Sequence, residues 1–188
     1  MSMILKFQSN GHSELDSSDN YKGMAMTGIE LNDSSYREIC DAIREQGRKD
    51  FGGNGYSRIV FTNGCFDILH SGHLKLLDEC RRLAGLKGAV VVGVNTDASV
   101  GRLKGQSRPI FSDNERAQLL VHLKSVDYAI TFEEDTPIKL IESLRPDLIV
   151  KGGDYKASDV VGSKISPVVI VNLEDGFSTT SIIERMKR

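Results

Sequence analysis

Two of the four histidines in this 188-residue chain stand three positions apart, in His70-Ser71-Gly72-His73. Paired imidazoles at a helix start, beside the unpaired N–H groups of its first turn, make a site for phosphate oxygens. A histidine there can donate hydrogen bonds to the charge that builds during phosphoryl transfer. Positioning and charge stabilisation suffice for a nucleotidyl transfer, with no covalent nucleophile. The same residues could instead cap the helix or lie on its surface. A metal site is the third reading, but no Glu or Cys stands at a spacing that would complete a zinc set. Two of four histidines in one turn favour the phosphate reading. Just upstream, Asn63-Gly64-Cys65-Phe66 forms a tight turn whose glycine lets the backbone approach a ligand.

Other segments carry matching chemistry. Arg102, Lys104 and Arg108 fall in a stretch with Gly and Ser, read as a basic loop able to close over a triphosphate. An ordinary solvated loop is the alternative. Lys151-Gly152-Gly153-Asp154 pairs a close-approach backbone with groups suited to sugar hydroxyls or a base edge. A turn with a local ion pair fits it equally. Ser178-Thr179-Thr180 follows Gly176 and offers hydroxyls and helix N–H groups to phosphate, or a plain N-cap by Ser178. Asp67 and Asp97 follow strands. Asp67 could orient substrate or help hold Mg²⁺, or bond its own backbone. Nothing adjacent in sequence activates Cys65, and His12 and His122 read as surface or core residues.

The elements that must position these groups alternate. Short apolar runs at Arg58–Thr62, Ala89–Val94, Val126–Phe132, Asp147–Val150 and Val168–Val171 read as strands. Helical patterns lie between them: Leu74–Leu83, a Ser112-x-x-Glu115 capping box leading to about Leu123, and Thr136-Pro137 as N-cap and first helical residue of a helix to about Leu144. A last helix follows from about Ser178. Strands alternating with helices give βαβ units, and continuous Val/Ile/Leu strands are buried on both faces. The expectation is a Rossmann-like, doubly wound, five-stranded parallel α/β sheet. Ligands in such sheets bind outside the carboxyl ends of the strands, which are the segments singled out above. Residues 1–57 read as an N-terminal extension with one helix over about 34–48, and 58–188 as the domain proper. Met3–Phe7 is a candidate short strand.

Composition narrows the class. Lys plus Arg number 24 and Asp plus Glu 26, a net charge of −2 that argues against a dedicated nucleic-acid binder. No apolar run reaches bilayer-spanning length, and the N-terminus lacks a secretion signal. Three cysteines, Cys40, Cys65 and Cys80, without metal spacing fit a reducing cytoplasm.

The strand, Gly64-Cys65-Phe66-Asp67 and His70-x-Gly72-His73 resemble the signature of the cytidylyltransferase-like superfamily of nucleotidyltransferases. Gly93–Ser99, Arg102–Pro109, Phe132–Pro137, Pro146–Lys156 and Glu174–Thr180 resemble, in that order, the adenylyltransferase domain of bacterial ADP-heptose synthesis. The match covers about Arg58 to Met186. The resemblance implies that His70, His73 and Lys104 act on the phosphates of ATP. It places Asn63, Gly64, Cys65, Phe66, Gly72, Asn95, Lys151, Ser178, Thr179 and Thr180 at the nucleotide, and Asp67, Asp97, Arg108 and Asp154 at the acceptor. The implied reaction joins ATP and a heptose 1-phosphate into ADP-heptose and pyrophosphate, for lipopolysaccharide or another heptose-containing glycan. Mg²⁺ would accompany ATP, bound mainly by phosphate oxygens. A homodimer is expected. The two-domain relatives carry a sugar kinase before this domain, which 57 residues cannot hold, so a stand-alone version is expected. Related cytidylyltransferases have Arg where Leu173 stands, three residues before Gly176, which favours a base other than cytosine. The alternatives are a cytidylyltransferase acting on glycerol 3-phosphate or a similar alcohol phosphate, and a non-catalytic nucleotide-binding subunit.

Overall fold

The structure, a computed structural model, describes residues 24–27, 33–153, 155–172 and 179–186. In chain order its elements are β1 (Met24–Met26), α1 (Asp33–Asp50), β2 (Ile59–Gly64), α2 (Ser71–Ala84), β3 (Ala89–Asn95), α3 (Asp97–Lys104), α4 (Asp113–Val121), β4 (Tyr128–Phe132), α5 (Ile138–Leu144), β5 (Leu148–Gly152), β6 (Val168–Val171) and α6 (Thr179–Met186). The strands form one sheet in the order β1-β4-β3-β2-β5-β6, and every pairing is parallel.

The Val-rich strands form the centre because both of their faces can be covered. Successive side chains of a strand point to opposite faces. Ile59, Phe61, Val91, Ile130 and Phe132 meet Ile39 and Ile43 of α1 and Leu140 and Leu144 of α5. Val60, Val90, Val92 and Ala129 meet Leu77 and Cys80 of α2 and Ala117 and Leu120 of α4. The doubly wound parallel sheet expected from the sequence is thus present.

Four details differ from that expectation. The sheet has six strands, not five, because Met24–Met26 pairs with the outer edge of β4. Three residues are too few to show a period, and what holds them is the open edge of β4, with Thr131 Oγ1 donating to the Met26 carbonyl at 3.3 Å. Second, Arg102 and Lys104 lie on a helix, not in a loop. Thr96 caps α3 by accepting from Ser99 N at 3.4 Å, and Gly105 ends it at a φ of 96°. Third, Pro137 stands at the N-cap of α5, and its first helical residue is Ile138. Fourth, the helix read at Leu74–Leu83 begins three residues earlier, at Ser71, and it buries Leu76, Leu77, Cys80 and Ala84 and leaves Leu74 exposed. The Ser112–Glu115 capping box is complete, with Glu115 N donating to Ser112 Oγ at 3.3 Å and Ser112 N to Glu115 Oε2 at 2.9 Å. The candidate strand Met3–Phe7 lies outside the described residues.

The chain runs from β2 outward through β3 to β4, then returns across the sheet to β5 and β6. The direction of winding therefore reverses between β2 and β5, and a crevice opens at their carboxyl ends. Gly93 in β3 lets the neighbouring rings close beneath that crevice. A Cβ there would lie 2.9 Å from the Phe61 ring, 3.1 Å from Asn63 Cβ and 3.3 Å from the Phe132 ring. Gly93→Ala should therefore destabilise the fold by about 1–3 kcal/mol through overpacking, read as a lower urea midpoint. An unchanged midpoint would show that both rings move aside freely.

Candidate active site

The β2–α2 turn is bent by Phe66, which takes a left-handed φ of 48° although it is not glycine. That conformation is uncommon for a bulky residue and persists only where surroundings enforce it. Phe66 is buried, and its ring packs on His73 with centroids 5.0 Å apart. The His70 and His73 rings stack at 3.8 Å with planes 24° apart. His70 occupies the N-cap of α2, yet its side chain makes no cap hydrogen bond. The first turn is closed instead by its carbonyl, which accepts from His73 N and Leu74 N at 2.9 and 3.2 Å. The histidine side chains are therefore not spent on capping.

Four buried side-chain polar atoms lack a hydrogen-bond partner among the described residues: Thr62 Oγ1, His70 Nδ1, His73 Nδ1 and Arg81 Nε. Three of the four lie in this turn or in the ends of β2 and α2 that flank it, and buried polar groups are ordinarily paired. Orphans clustered at the mouth of a crevice are the signature of a ligand site. Burial pushes the His73 imidazole down to about 4, with the His70 charge adding to the effect and the Ile68 backbone opposing it. Burial lowers His70 as well. Both rings are thus neutral near pH 7, and each keeps one N–H to donate.

Cations surround the turn. Burial raises the Cys65 thiol, while Lys104, Arg116 and Arg108 pull it down. The raised value leaves Cys65 a packing residue, not a nucleophile. Lys151, at the end of β5, reaches across the winding reversal and donates to the Asn63 carbonyl at 2.9 Å. Burial pushes its ammonium down to about 8. Among the described residues Lys151 has no carboxylate partner, so an anion at the strand ends would be its counter-charge.

Two buried charges hold the walls. Asp67 is buried and accepts from Arg108 Nε at 2.5 Å, Ile110 N at 2.8 Å and Phe111 N at 3.0 Å. Both of its oxygens are engaged in pinning the 108–111 segment. Arg116 of α4 is fully buried and donates to the Cys65 carbonyl at 2.5 Å, the Phe111 carbonyl at 2.9 Å and Asp97 Oδ1 at 2.8 Å. Sequence reasoning passed over Arg116. The available signal was position: it falls on the face of α4 that also buries Ala117, Leu120 and Val121, where an unpaired Arg would not be tolerated.

Of the residues picked from sequence, Asn63, Gly64, Cys65, Phe66, His70, Gly72, His73 and Lys151 come together at the reversal, with Lys104 and Arg108 near enough to act on Cys65. Asn95 is buried and donates to Ser99 Oγ at 3.0 Å. Asp97, half exposed, is held by Arg116. Arg102 is tied to Asp135 at 2.8 Å and the Glu133 carbonyl at 2.6 Å. Thr179 opens α6. Asp154, Ser178 and the side chain of Thr180 lie outside the described residues. Among the described residues no three His, Cys, Asp or Glu converge as metal ligands, and no helix is long and apolar enough to cross a membrane.

A parallel sheet whose winding reverses beside two neutral, stacked imidazoles in a field of cations defines a nucleotidyltransferase domain. The cytidylyltransferase-like family model matches residues 61–185, and the chain belongs to that family. Bifunctional protein HldE of Syntrophotalea carbinolica is 47% identical over 157 residues, which cover 81% of this chain and 30% of that protein. Bifunctional protein HldE of Campylobacter jejuni is 44% identical over 170 residues, 90% of this chain and 34% of that protein. The chain spans about a third of the length of these curated relatives. The crystal structure of the lipopolysaccharide core biosynthesis protein from Thermoplasma volcanium is 35% identical with a TM-score of 0.52, covering 64% of this chain and 98% of that one.

The histidine burial has a measurable consequence. His73 in the folded chain takes up its proton near pH 4, but in the unfolded chain near 6.5. Between those values the unfolded state binds more protons, so stability falls as pH drops from 6.5 to 4. The loss attributable to His73 should reach roughly 3 kcal/mol at full development. Urea unfolding from pH 4 to 7 should give a flatter profile for His73→Gln than for the unmodified chain. Parallel profiles would show that the ring is not shielded.

Proposed function

We propose that the chain transfers AMP from ATP to D-glycero-β-D-manno-heptose 1-phosphate, giving ADP-heptose and pyrophosphate. The observation that carries the transfer is the stacked His70–His73 pair, with orphaned nitrogens, at the winding reversal. The acceptor rests on the ordered segments resembling the ADP-heptose adenylyltransferase domain. It rests also on the similarity to the HldE proteins and to a protein described as acting in lipopolysaccharide core biosynthesis.

In this reading ATP lies across the carboxyl ends of β2 and β5, along Asn63, Gly64, Cys65, Phe66 and Gly72. A phosphate oxygen of the sugar 1-phosphate attacks the α-phosphorus. The bond from that phosphorus to the bridging oxygen breaks, and pyrophosphate leaves with the electron pair. His70 and His73 donate hydrogen bonds to the phosphate oxygens as charge shifts onto them. Lys104 and Lys151 supply positive charge, and the Lys151 ammonium becomes fully protonated once an anion replaces its missing partner. Mg²⁺ would be held mainly by the triphosphate oxygens and would screen their charge, with no carboxylate cage asked of the protein. Asp154 and the Ser178–Thr180 segment complete the acceptor and nucleotide contacts. Residues 58–188 form the transferase unit, 1–57 an N-terminal extension, and the protein acts in the cytoplasm as a homodimer.

The test is pyrophosphate release across ATP, CTP and GTP with heptose 1-phosphate, glycerol 3-phosphate and other sugar phosphates. ATP with the heptose phosphate should turn over fastest; preference for CTP with glycerol 3-phosphate would replace the reading with its cytidylyl alternative. His70→Ala and His73→Ala should each lower kcat/KM by about a hundredfold or more, within the range that positioned hydrogen-bond donors supply. Their circular dichroism should be unchanged. Full activity in either variant would remove that histidine from the chemistry, and no turnover with any pair would favour a non-catalytic nucleotide-binding subunit.

A further inference from the structure

We propose that Arg116, which touches neither nucleotide nor acceptor in the reading above, is a positioning residue for the nucleotide, acting through the Cys65 carbonyl. The inference rests on the proposed nucleotidyl transfer. Its basis is that one buried guanidinium joins three segments, each of which brings a different group to the site. Nη1 donates to Cys65 in the β2–α2 turn, Nε to Phe111 in the segment that Asp67 pins, and Nη2 to Asp97 in the first turn of α3. The guanidinium is a planar fork with fixed donor directions, so three acceptors bound to it are fixed relative to one another.

The Cys65 bond matters most. In a trans peptide the carbonyl and the following N–H point to opposite sides. Holding the Cys65 carbonyl against Arg116 therefore turns the Phe66 N–H away from Arg116. Phe66 is the residue with the left-handed φ, and turns of that kind present backbone N–H groups to anions. Its ring is also the surface on which His73 packs. A single hydrogen bond thus sets a backbone donor and, one contact further, the orientation of the imidazole stack. The Asp97 bond does the same for α3, whose last residue is Lys104.

Lys at this position keeps the charge but not the fork. It cannot reach three acceptors in one plane. Arg116→Lys should retain a cooperative thermal transition, although at lower temperature. The dissociation constant for ATP, measured by equilibrium binding below that transition, should rise at least tenfold, and KM for ATP should rise in step. KM for the acceptor should move less than twofold. A merely structural Arg116 would lower the melting temperature and leave ATP affinity unchanged, and that result overturns the proposal. Should Arg116→Lys fail to fold, Asp97→Asn takes its place. Weakening one of the three bonds should weaken ATP binding severalfold and leave the acceptor KM unmoved; a change confined to the acceptor would instead make Asp97 a direct acceptor contact and count against Arg116. Binding of CTP in place of ATP by the unmodified chain would overturn the adenylyl reading alone, and the Arg116 comparison is then read with CTP. Binding of neither overturns both.

Discussion

A charge taken out of water must find its partners where it is buried, and a buried ion stripped of its partner is strongly destabilising. The floor of the site is built from two such charges, Asp67 and Arg116. Between them they bond to backbone at Cys65, Ile110, Phe111 and to the side chains of Arg108 and Asp97. Two of the segments they hold have no regular structure of their own. The 108–111 connection and the turn after β2 would otherwise be free to sample many conformations, at an entropy of about 1–2 kcal/mol per residue. A well-packed apolar floor would serve stability equally, because buried ion pairs rarely add net stability. What it would not do is dictate the angle of particular carbonyls. The placement of charge beneath the turn makes sense as a device for geometry.

Above that floor the electrostatics are one-sided. The histidines are neutral, Asp67 is already saturated by Arg108 and backbone, and half-buried Lys151 has, among the described residues, only a carbonyl for company. Lys104 and Arg108 add to the positive field at Cys65. In the proposed transfer a triphosphate supplies the missing negative charge. In that proposal the imidazoles are neutral donors beside the charged groups. Protonating both would place two cations 3.8 Å apart at the ring centres, which their burial already resists.

The parallel sheet and its site were legible to different depths. The strands show plainly in sequence because burial on both faces leaves an unbroken run such as Ala89–Val94, and the Ser112–Glu115 box marks a helix start without ambiguity. The turn at Asn63–His73 was legible because rare residue types concentrate there. What stayed hidden has a common cause. β1 exists through pairing with an edge 104 positions further along, as Met24 opposite Tyr128 and Met26 opposite Ile130 show. α3 hid because Gly101 and the charges of Arg102 and Lys104 look like loop composition, while its helix is fixed by a Thr96 cap and by Arg116 from α4. Arg116 itself reads as one more surface arginine until α4 is turned to show which face it buries. Contacts between distant segments carry no local sequence signal, and the site's supports are made of them.

The same logic extends to the part of the chain before Arg58. Tyr36 of α1 is fully buried, and its hydroxyl donates to Glu134 at 3.0 Å. Lys139 bridges Glu134 at 3.4 Å and Asp33 at 3.3 Å. The Glu134 carbonyl accepts from Ser99 of α3 at 3.1 Å, and Arg102 of α3 binds both neighbours, Asp135 and the Glu133 carbonyl. The 133–135 turn is therefore gripped from below by α1 and from the side by α3. Exposed ion pairs such as Arg102–Asp135 contribute little on their own, but Tyr36 is in the core and cannot shift without disturbing Ile39 and Ile43 beside it. α1 thereby fixes the turn against which α3 rests, and α3 carries Lys104. A segment whose sequence reads as an accessory ends up two contacts away from the helix that carries Lys104.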